Sequence, residues 1–372
     1  MIDWRRRASP FTHGYTMKKI LIVGALGAVG RCALEYFESA DGWDVVGAAR
    51  RTPEFAIRGS WVSVDLRDRA DCEVKLGSQA DITHLAYTAV YEKTDVTRGW
   101  SEMDHVQVNL AMLKNLVEVV ERASPGLRHI TLMQGTKAYG GHLGPFRQPA
   151  RESDPRYMGP NFYYDQMDWL AEQQKGKSWT WTILRPQIVC GIAIGSPLNI
   201  ITAIGVYAAV SREYSLPLRF PGGASRIGEA TDARLIAKAM EWAGTSPNSG
   251  NQVYNIANGD VYAWENVWPR VAALFGMEMA PPHPFSLARV MPENEPIWDR
   301  IVAKHGLVPN KYREIVPSWQ FADFLLGYGQ RPNPHHMSTI KIRQHGFADC
   351  VDSEEMFAEL IGELQRRRIL PT

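Results

Sequence analysis

The sequence predicts an α/β protein: a doubly wound parallel sheet with a smaller lobe in its C-terminal half. Three observations carry that expectation. Short apolar runs alternate with stretches of helical spacing between residues 19 and 185, and strands that alternate with helices need crossover connections, which set them parallel. A glycine-rich turn, Gly24-Ala25-Leu26-Gly27-Ala28-Val29-Gly30, joins the first run to the first helical stretch. Beyond Arg185-Pro186 the pattern changes. Glycine, proline and tryptophan become dense there, as at Gly222-Gly223, Trp264, Trp268, Pro281-Pro282, Trp298 and Trp319.

Taken in order, residues 19–23 are a short apolar run ending at glycine, which reads as a strand buried on both faces. Residues 28–39 have helical spacing, with Val29, Cys32, Ala33, Tyr36 and Phe37 towards one side. Apolar runs at 43–49, 61–65 and 81–88 predict the second to fourth strands. A long helix follows over about 104–123, then a strand over 127–133, a helix over about 163–174 and a sixth strand over 180–185. The organisation expected is a loose extension over 1–17, a dinucleotide-binding domain over 18–186 and a lobe over 187–372 interleaved with the last sheet elements.

Composition excludes several classes. The chain has 372 residues, a net charge of +1 and a pI near 7.7, so no global field recruits nucleic acid or an anionic membrane. Cys32, Cys72, Cys190 and Cys350 show no C-x-x-C spacing; reduced thiols in a cytoplasmic protein are expected. Arg5-Arg6-Arg7 is not followed by the apolar stretch of a secretory signal. Residues 188–210 carry no charge and are long enough to span a bilayer. Gly191, Gly195, Ser196-Pro197 and Asn199 interrupt them and basic flanks are missing, so buried interior is the expectation. His335-His336, beside Pro332 and Pro334, reads as a solvated loop and not as a metal site.

The glycine turn has the strand–turn–helix context of a dinucleotide site. A tight turn needs positive φ, a pyrophosphate needs close backbone approach, and the helix N-terminus supplies N–H groups and the positive dipole end. Gly24, Leu26, Gly27, Ala28, Val29 and Gly30 are therefore cofactor candidates. The second strand exits into Arg50-Arg51, where an NAD site usually has an acidic residue. Two guanidinium groups suit a 2′-phosphate instead, so NADP(H) is the cofactor expected. Asp65-Leu66 is placed to meet the adenine edge. Tyr87-Thr88-Ala89 is placed to run beside the ribose and nicotinamide.

Downstream, Gly135-Thr136-Lys137 and Asn161-Phe162-Tyr163-Tyr164 bring a cation and phenols to the same half of the domain. A phenol and an ammonium beside a nicotinamide make a proton-donating site. Reductases usually space them as Y-x-x-x-K, but Met167 and Asp168 occupy the fourth positions after Tyr163 and Tyr164. The lysine must come from elsewhere. Helical register leaves either tyrosine open, with the other as packing.

The G-x-x-G-x-x-G spacing of the turn is that of short-chain dehydrogenases/reductases. Gly47-Ala48-Ala49-Arg50-Arg51, Gly135-Thr136-Lys137-Ala138-Tyr139, Asn161-Phe162-Tyr163-Tyr164, Val206-Tyr207-Ala208-Ala209, Thr231-Asp232-Ala233, Tyr254-Asn255-Ile256-Ala257-Asn258-Gly259-Asp260 and Phe321-Ala322-Asp323 together resemble the progesterone 5β-reductase/iridoid synthase-like enzymes. These are a branch of the extended members of that superfamily. The resemblance implies a Rossmann-type domain with a substrate-binding lobe, NADPH as donor, and reduction of an activated C=C bond. It implies Tyr163 as the catalytic tyrosine and Lys137 as the catalytic lysine, with Pro186 and Ile188 flanking the nicotinamide. Asn109 resembles the helix asparagine that orders water in related reductases, with a purely structural role as the even alternative.

The chain departs from the family pattern at three places. Gln134 stands near the reacting centre where threonine is usual, Val90 stands where the fourth-strand exit commonly has tryptophan, and Met167-Asp168 replaces an acidic pair; Gln134 and Tyr163 are also expected to contact the cofactor. The substrate expected is a small enone, enal or carbonyl compound, with a homodimer left open. The competing readings are a carbonyl reductase or a sugar-nucleotide epimerase or dehydratase on the same fold, and a non-catalytic dinucleotide sensor.

Overall fold

The computed structural model describes residues 17–93, 100, 102–224, 227–329 and 335–372; the expected extension, up to residue 16, lies outside them. The chain forms two compact units. One comprises Met1–Gln134, Tyr157–Leu184 and Ala237–Tyr254, the other Gly135–Arg156, Arg185–Ile236 and Asn255–Thr372.

The first elements are β1 (Lys18–Val23), α1 (Ala28–Phe37), β2 (Trp43–Ala49), β3 (Ser60–Ser63), α2 (Arg69–Leu76) and β4 (His84–Tyr87). Next come α3 (Met103–Ala123), β5 (His129–Met133), α4 (Phe162–Gln174) and β6 (Thr180–Pro186). They are followed by β7 (Ile188–Cys190), α5 (Ile200–Glu213), β8 (Ile227–Gly228), β9 (Ala230–Asp232), α6 (Ala233–Thr245) and β10 (Gln252–Ile256). Seven strands make one sheet in the order β3-β2-β1-β4-β5-β6-β10. The pairings from β3 through β6 are parallel, and Val23 lies opposite both Ala48 and Tyr87. The order reverses between β1 and β4, and such a sheet takes its ligand beyond the strand carboxyl ends at that crevice.

Leu21, Val23, Val46, Leu85, Ile130, Leu132 and Ile183 from the strands pack with Leu113, Leu116, Val117 and Val120 of α3. Burying each such side chain stabilises the unit by about 1.5–3 kcal/mol. The fourth strand is shorter than the run that predicts it. Ile82 donates its N–H to Ser124 Oγ and Thr83 donates to the carbonyl of Lys19, so ladder pairing starts at His84. Helix α2 has no counterpart in the periodicity. Asp68 caps it, accepting from Ala70 and Asp71, and only Cys72 and Leu76 are buried.

In the second unit the uncharged stretch 188–210 becomes β7, a connection and α5, whose residues from Ile200 to Ser211 are all buried. Asn199 caps α5 by accepting from Ile201 and Thr202. A Cβ on Gly205 would lie 2.2 Å from the Leu370 side chain. Trp264, Trp268, Trp298 and Trp319 share the core around α5. Among the described residues no helix is long and apolar enough to cross a membrane. His335 and His336 are half-buried, and their main chain is held by neighbouring segments. The Gln187 side chain donates to the His335 carbonyl, His336 donates its N–H to Gln148, and Met337 bridges to Ala150.

Candidate functional site

The glycine turn is built for close approach. Gly24 has φ +84°, and a Cβ there would lie 2.7 Å from the Ala89 nitrogen. A Cβ on Gly30 would lie 2.3 Å from the Gly24 carbonyl oxygen and 2.6 Å from Thr88 Oγ1. Thr88 Oγ1 itself donates to the Val23 carbonyl at 2.7 Å, which ties the β4 exit to the β1 exit. The main-chain nitrogens of Gly24 and Ala25 both donate to the Ala48 carbonyl. Gly27 starts α1 with no side-chain cap, so the first-turn N–H groups at Ala28 and Val29 face outward for an anion. Leu26 is half-buried beside them. This cradle, which any larger residue would fill, fits a pyrophosphate.

At the exits of β2 and β3 the charges gather. Arg50 and Arg51 are exposed. Asp65 is held below the usual carboxylate range chiefly by hydrogen bonds from Arg67, with Arg50 adding a smaller pull. Arg67 contacts it at 3.0 Å through Nε and 2.6 Å through Nη2. Leu66 points its side chain into the core and offers its carbonyl to Asn115 Nδ2 at 2.8 Å. Arg31 of α1 pairs with Glu35 at 3.2 Å and lies over the Phe55 ring at 4.2 Å. Nothing in the residue pattern marks that further cation.

The Tyr87 ring is buried in the core, so Tyr87 and Ala89 present main chain at the sheet edge. Asn109 is fully buried and acts as a latch. Its Oδ1 accepts from the Tyr91 nitrogen at 2.8 Å, and its Nδ2 donates to the carbonyls of Tyr91 and His105 at 3.0 Å each. Its own carbonyl accepts from Gln166 Nε2 at 2.8 Å. That occupancy favours the structural alternative for Asn109.

Tyr163 sits in the first turn of α4. Asn161 Oδ1 accepts its N–H at 3.0 Å, and Gln134 Nε2 donates to its carbonyl at 2.7 Å. The half-buried ring packs edge-on against Trp100, with centroids 5.0 Å apart, and against Phe162 at 4.7 Å. Trp100 is 2 % exposed and donates its indole N–H to Glu92 at 3.1 Å. Val90, at the position where tryptophan is usual, is 46 % exposed. Tyr164 is buried, and its phenolic oxygen accepts the N–H of Tyr157 at 3.3 Å.

Lys137 belongs to the second unit, on a 3-10 turn Thr136–Tyr139 that leaves β5 directly. His142 is pushed down to about 4 by burial and by the Lys137 charge, so it is neutral at pH 7. Tyr139 donates to Asn255 Oδ1 at 2.5 Å and accepts from Arg185 at 3.2 Å. Asn255 in turn donates its N–H to the Glu152 carboxylate at 2.8 Å. Pro186 is buried, and Ile188 opens β7, opposite Ala230 of β9.

Residues 66–337 match the family described as a PRISE-like Rossmann-fold domain. The chain belongs to that family. It is 34 % identical to (S)-8-oxocitronellyl enol synthase of Nepeta racemosa, over 94 % of this chain and 92 % of the relative. It is 32 % identical to (S)-8-oxocitronellyl enol synthase of Catharanthus roseus, with the same shares covered. Among solved structures it is similar to UDP-glucose 4-epimerase of Thermus thermophilus in complex with NAD. The TM-score is 0.63 at 17 % identity, covering 93 % of this chain and 99 % of the other. A second UDP-glucose 4-epimerase gives 0.66 at 14 % identity, covering 94 % and 98 %. Those likenesses show the shared extended Rossmann fold.

Two contacts from residues far along the chain meet at Tyr163. Gln134 reaches the Tyr163 carbonyl, and Trp100 supplies an aromatic wall to the Tyr163 ring.

Proposed function

We propose that this PRISE-like protein is an NADPH-dependent reductase of activated C=C bonds in enals and enones. The observation that carries it is Tyr163. It stands in the first turn of α4, with N–H, carbonyl and ring each held by a neighbour, while the adjacent Tyr164 is engaged in packing. The curated relatives are named for making an enol. An enol is what results when hydride adds to the β-carbon of an enal and the carbonyl oxygen gains a proton.

NADPH, when bound, supplies the hydride. Gly24, Gly27 and Gly30 give the pyrophosphate its close approach, and the first-turn N–H groups of α1 receive its charge. Arg50 and Arg51 take the 2′-phosphate, which is why NADP(H) is preferred here to NAD(H). As the β-carbon accepts hydride, the π electrons move towards the oxygen. The Tyr163 phenol donates a hydrogen bond to that oxygen and stabilises the developing enolate. The Lys137 ammonium, in the role the family resemblance implies, strengthens the phenol as a donor. The reading includes a cytoplasmic location, in keeping with four cysteines held in no disulfide.

The test is NADPH consumption against matched pairs of an enal and its saturated aldehyde. Turnover confined to the unsaturated member supports the assignment; equal turnover of both members refutes it.

A further inference from the structure

We propose that Gln134 is a positioning residue for Tyr163, a role that rests on the reading of Tyr163 as the proton-donating phenol. Gln134 is 5 % exposed at the end of β5, and its own N–H donates to the Leu184 carbonyl at 2.9 Å, so its main chain is pinned between β5 and β6. From that anchor its Nε2 reaches the Tyr163 carbonyl at 2.7 Å. Asn161 holds the Tyr163 N–H from the other side.

A carbonyl in the first turn of a helix already has the N–H four residues on as its partner. Recruiting a second donor immobilises a long side chain and costs it rotamer freedom. Backbone satisfaction alone does not call for it. The bond does set where the Tyr163 Cα, and hence the phenol, stands relative to the carboxyl edge of the sheet. Lys137 follows Gln134 by three residues, so one stretch of chain carries both the clamp on the phenol and the ammonium.

The test is a double-mutant cycle in the full-length protein. Gln134→Met keeps length and volume and removes the donor; Gln134→Asn is a second variant that keeps the amide but shortens the reach. Thermal melting reports folding, and fluorescence titration reports the NADPH Kd. Because a displacement of about 1 Å near the chemistry costs about a hundredfold, Gln134→Met is expected to lower kcat by about tenfold to a hundredfold. KM and the NADPH Kd should stay within about twofold, as expected when the amide acts only through Tyr163. In a Tyr163→Phe background the same substitution should cause no further loss. Full loss from Gln134→Met in that background, or a parallel rise in NADPH Kd, overturns the proposal and assigns Gln134 to the ligand. Unchanged kcat in both Gln134 variants also overturns it. Failure of the underlying reading looks different: Tyr163→Phe alone would then turn over at the full rate.

Discussion

The phenolic oxygen of Tyr164 accepts the main-chain N–H of Tyr157 at 3.3 Å, and the two rings lie 5.5 Å apart. That bond separates two neighbouring tyrosines that helical register alone leaves equivalent. Tyr164→Phe should cost about 1 kcal/mol of stability, the ordinary value of one hydrogen bond, and leave kcat unchanged. Tyr163→Phe should lower kcat by about a hundredfold to a thousandfold, as loss of an oxyanion donor does elsewhere. Steady-state kinetics and thermal melting of the two variants check both halves; the reverse pattern would exchange their roles.

Gly30 has no room for a methyl group. A Cβ there meets the Gly24 carbonyl oxygen at 2.3 Å and Thr88 Oγ1 at 2.6 Å. Gly30→Ala should therefore push the turn apart, lower the melting temperature and weaken NADPH binding by more than about tenfold, since the backbone no longer approaches the pyrophosphate. Fluorescence titration of NADPH measures it.

Arg50 and Arg51 are exposed at the β2 exit, and Arg50 already acts on Asp65. Each charge-assisted bond to a 2′-phosphate contributes about 1.5–3 kcal/mol. Replacing both arginines with alanine should weaken NADPH binding far more than NADH binding. Parallel titrations of the two cofactors into wild type and double variant decide it; equal losses would show arginines that face only solvent.

Histidines held below their ordinary value make stability depend on acid. Burial pushes His84 to about 4, His129 to about 3 and, with Lys137, His142 to about 4, from an ordinary value of 6.5. Below pH 6.5 the unfolded chain binds protons that the folded chain refuses, so this stability is present above 6.5 and is lost as the pH falls. Glu229, raised by burial to about 7, has the opposite sign, its contribution disappearing as pH rises from 4.5 through 7. His305 is lowered too, chiefly by burial, so four histidines against one carboxyl leave a net loss in acid. The melting temperature should be lower at pH 5 than at pH 7.5; an equal or higher value at pH 5 would contradict the assignment.

Much of the fold is legible in the sequence because its signals are contiguous. The strands β1 and β2 carry contiguous apolar stretches, residues 20–23 and 45–49, and the glycine turn joins the first of them directly to a helix. Helix α2 is not legible, since Arg69–Leu76 is short and charged. It rests on the Asp68 cap and on ion pairs such as Arg69 with Glu118 at 2.5 Å and Lys75 with Asp71 at 2.6 Å. The phenol and the glycines of the site are readable as motif members. The roles of Gln134 and Trp100 are not, because each depends on contact with a residue far along the chain.

The central claim is that hydride goes to the β-carbon while Tyr163 attends the oxygen. The most direct measurement uses NADPH carrying deuterium at the transferred position, an enal substrate and NMR of the product. The account predicts deuterium on the carbon β to an intact carbonyl, in a product saturated at the former double bond. Deuterium on the carbonyl carbon of an allylic alcohol would contradict it.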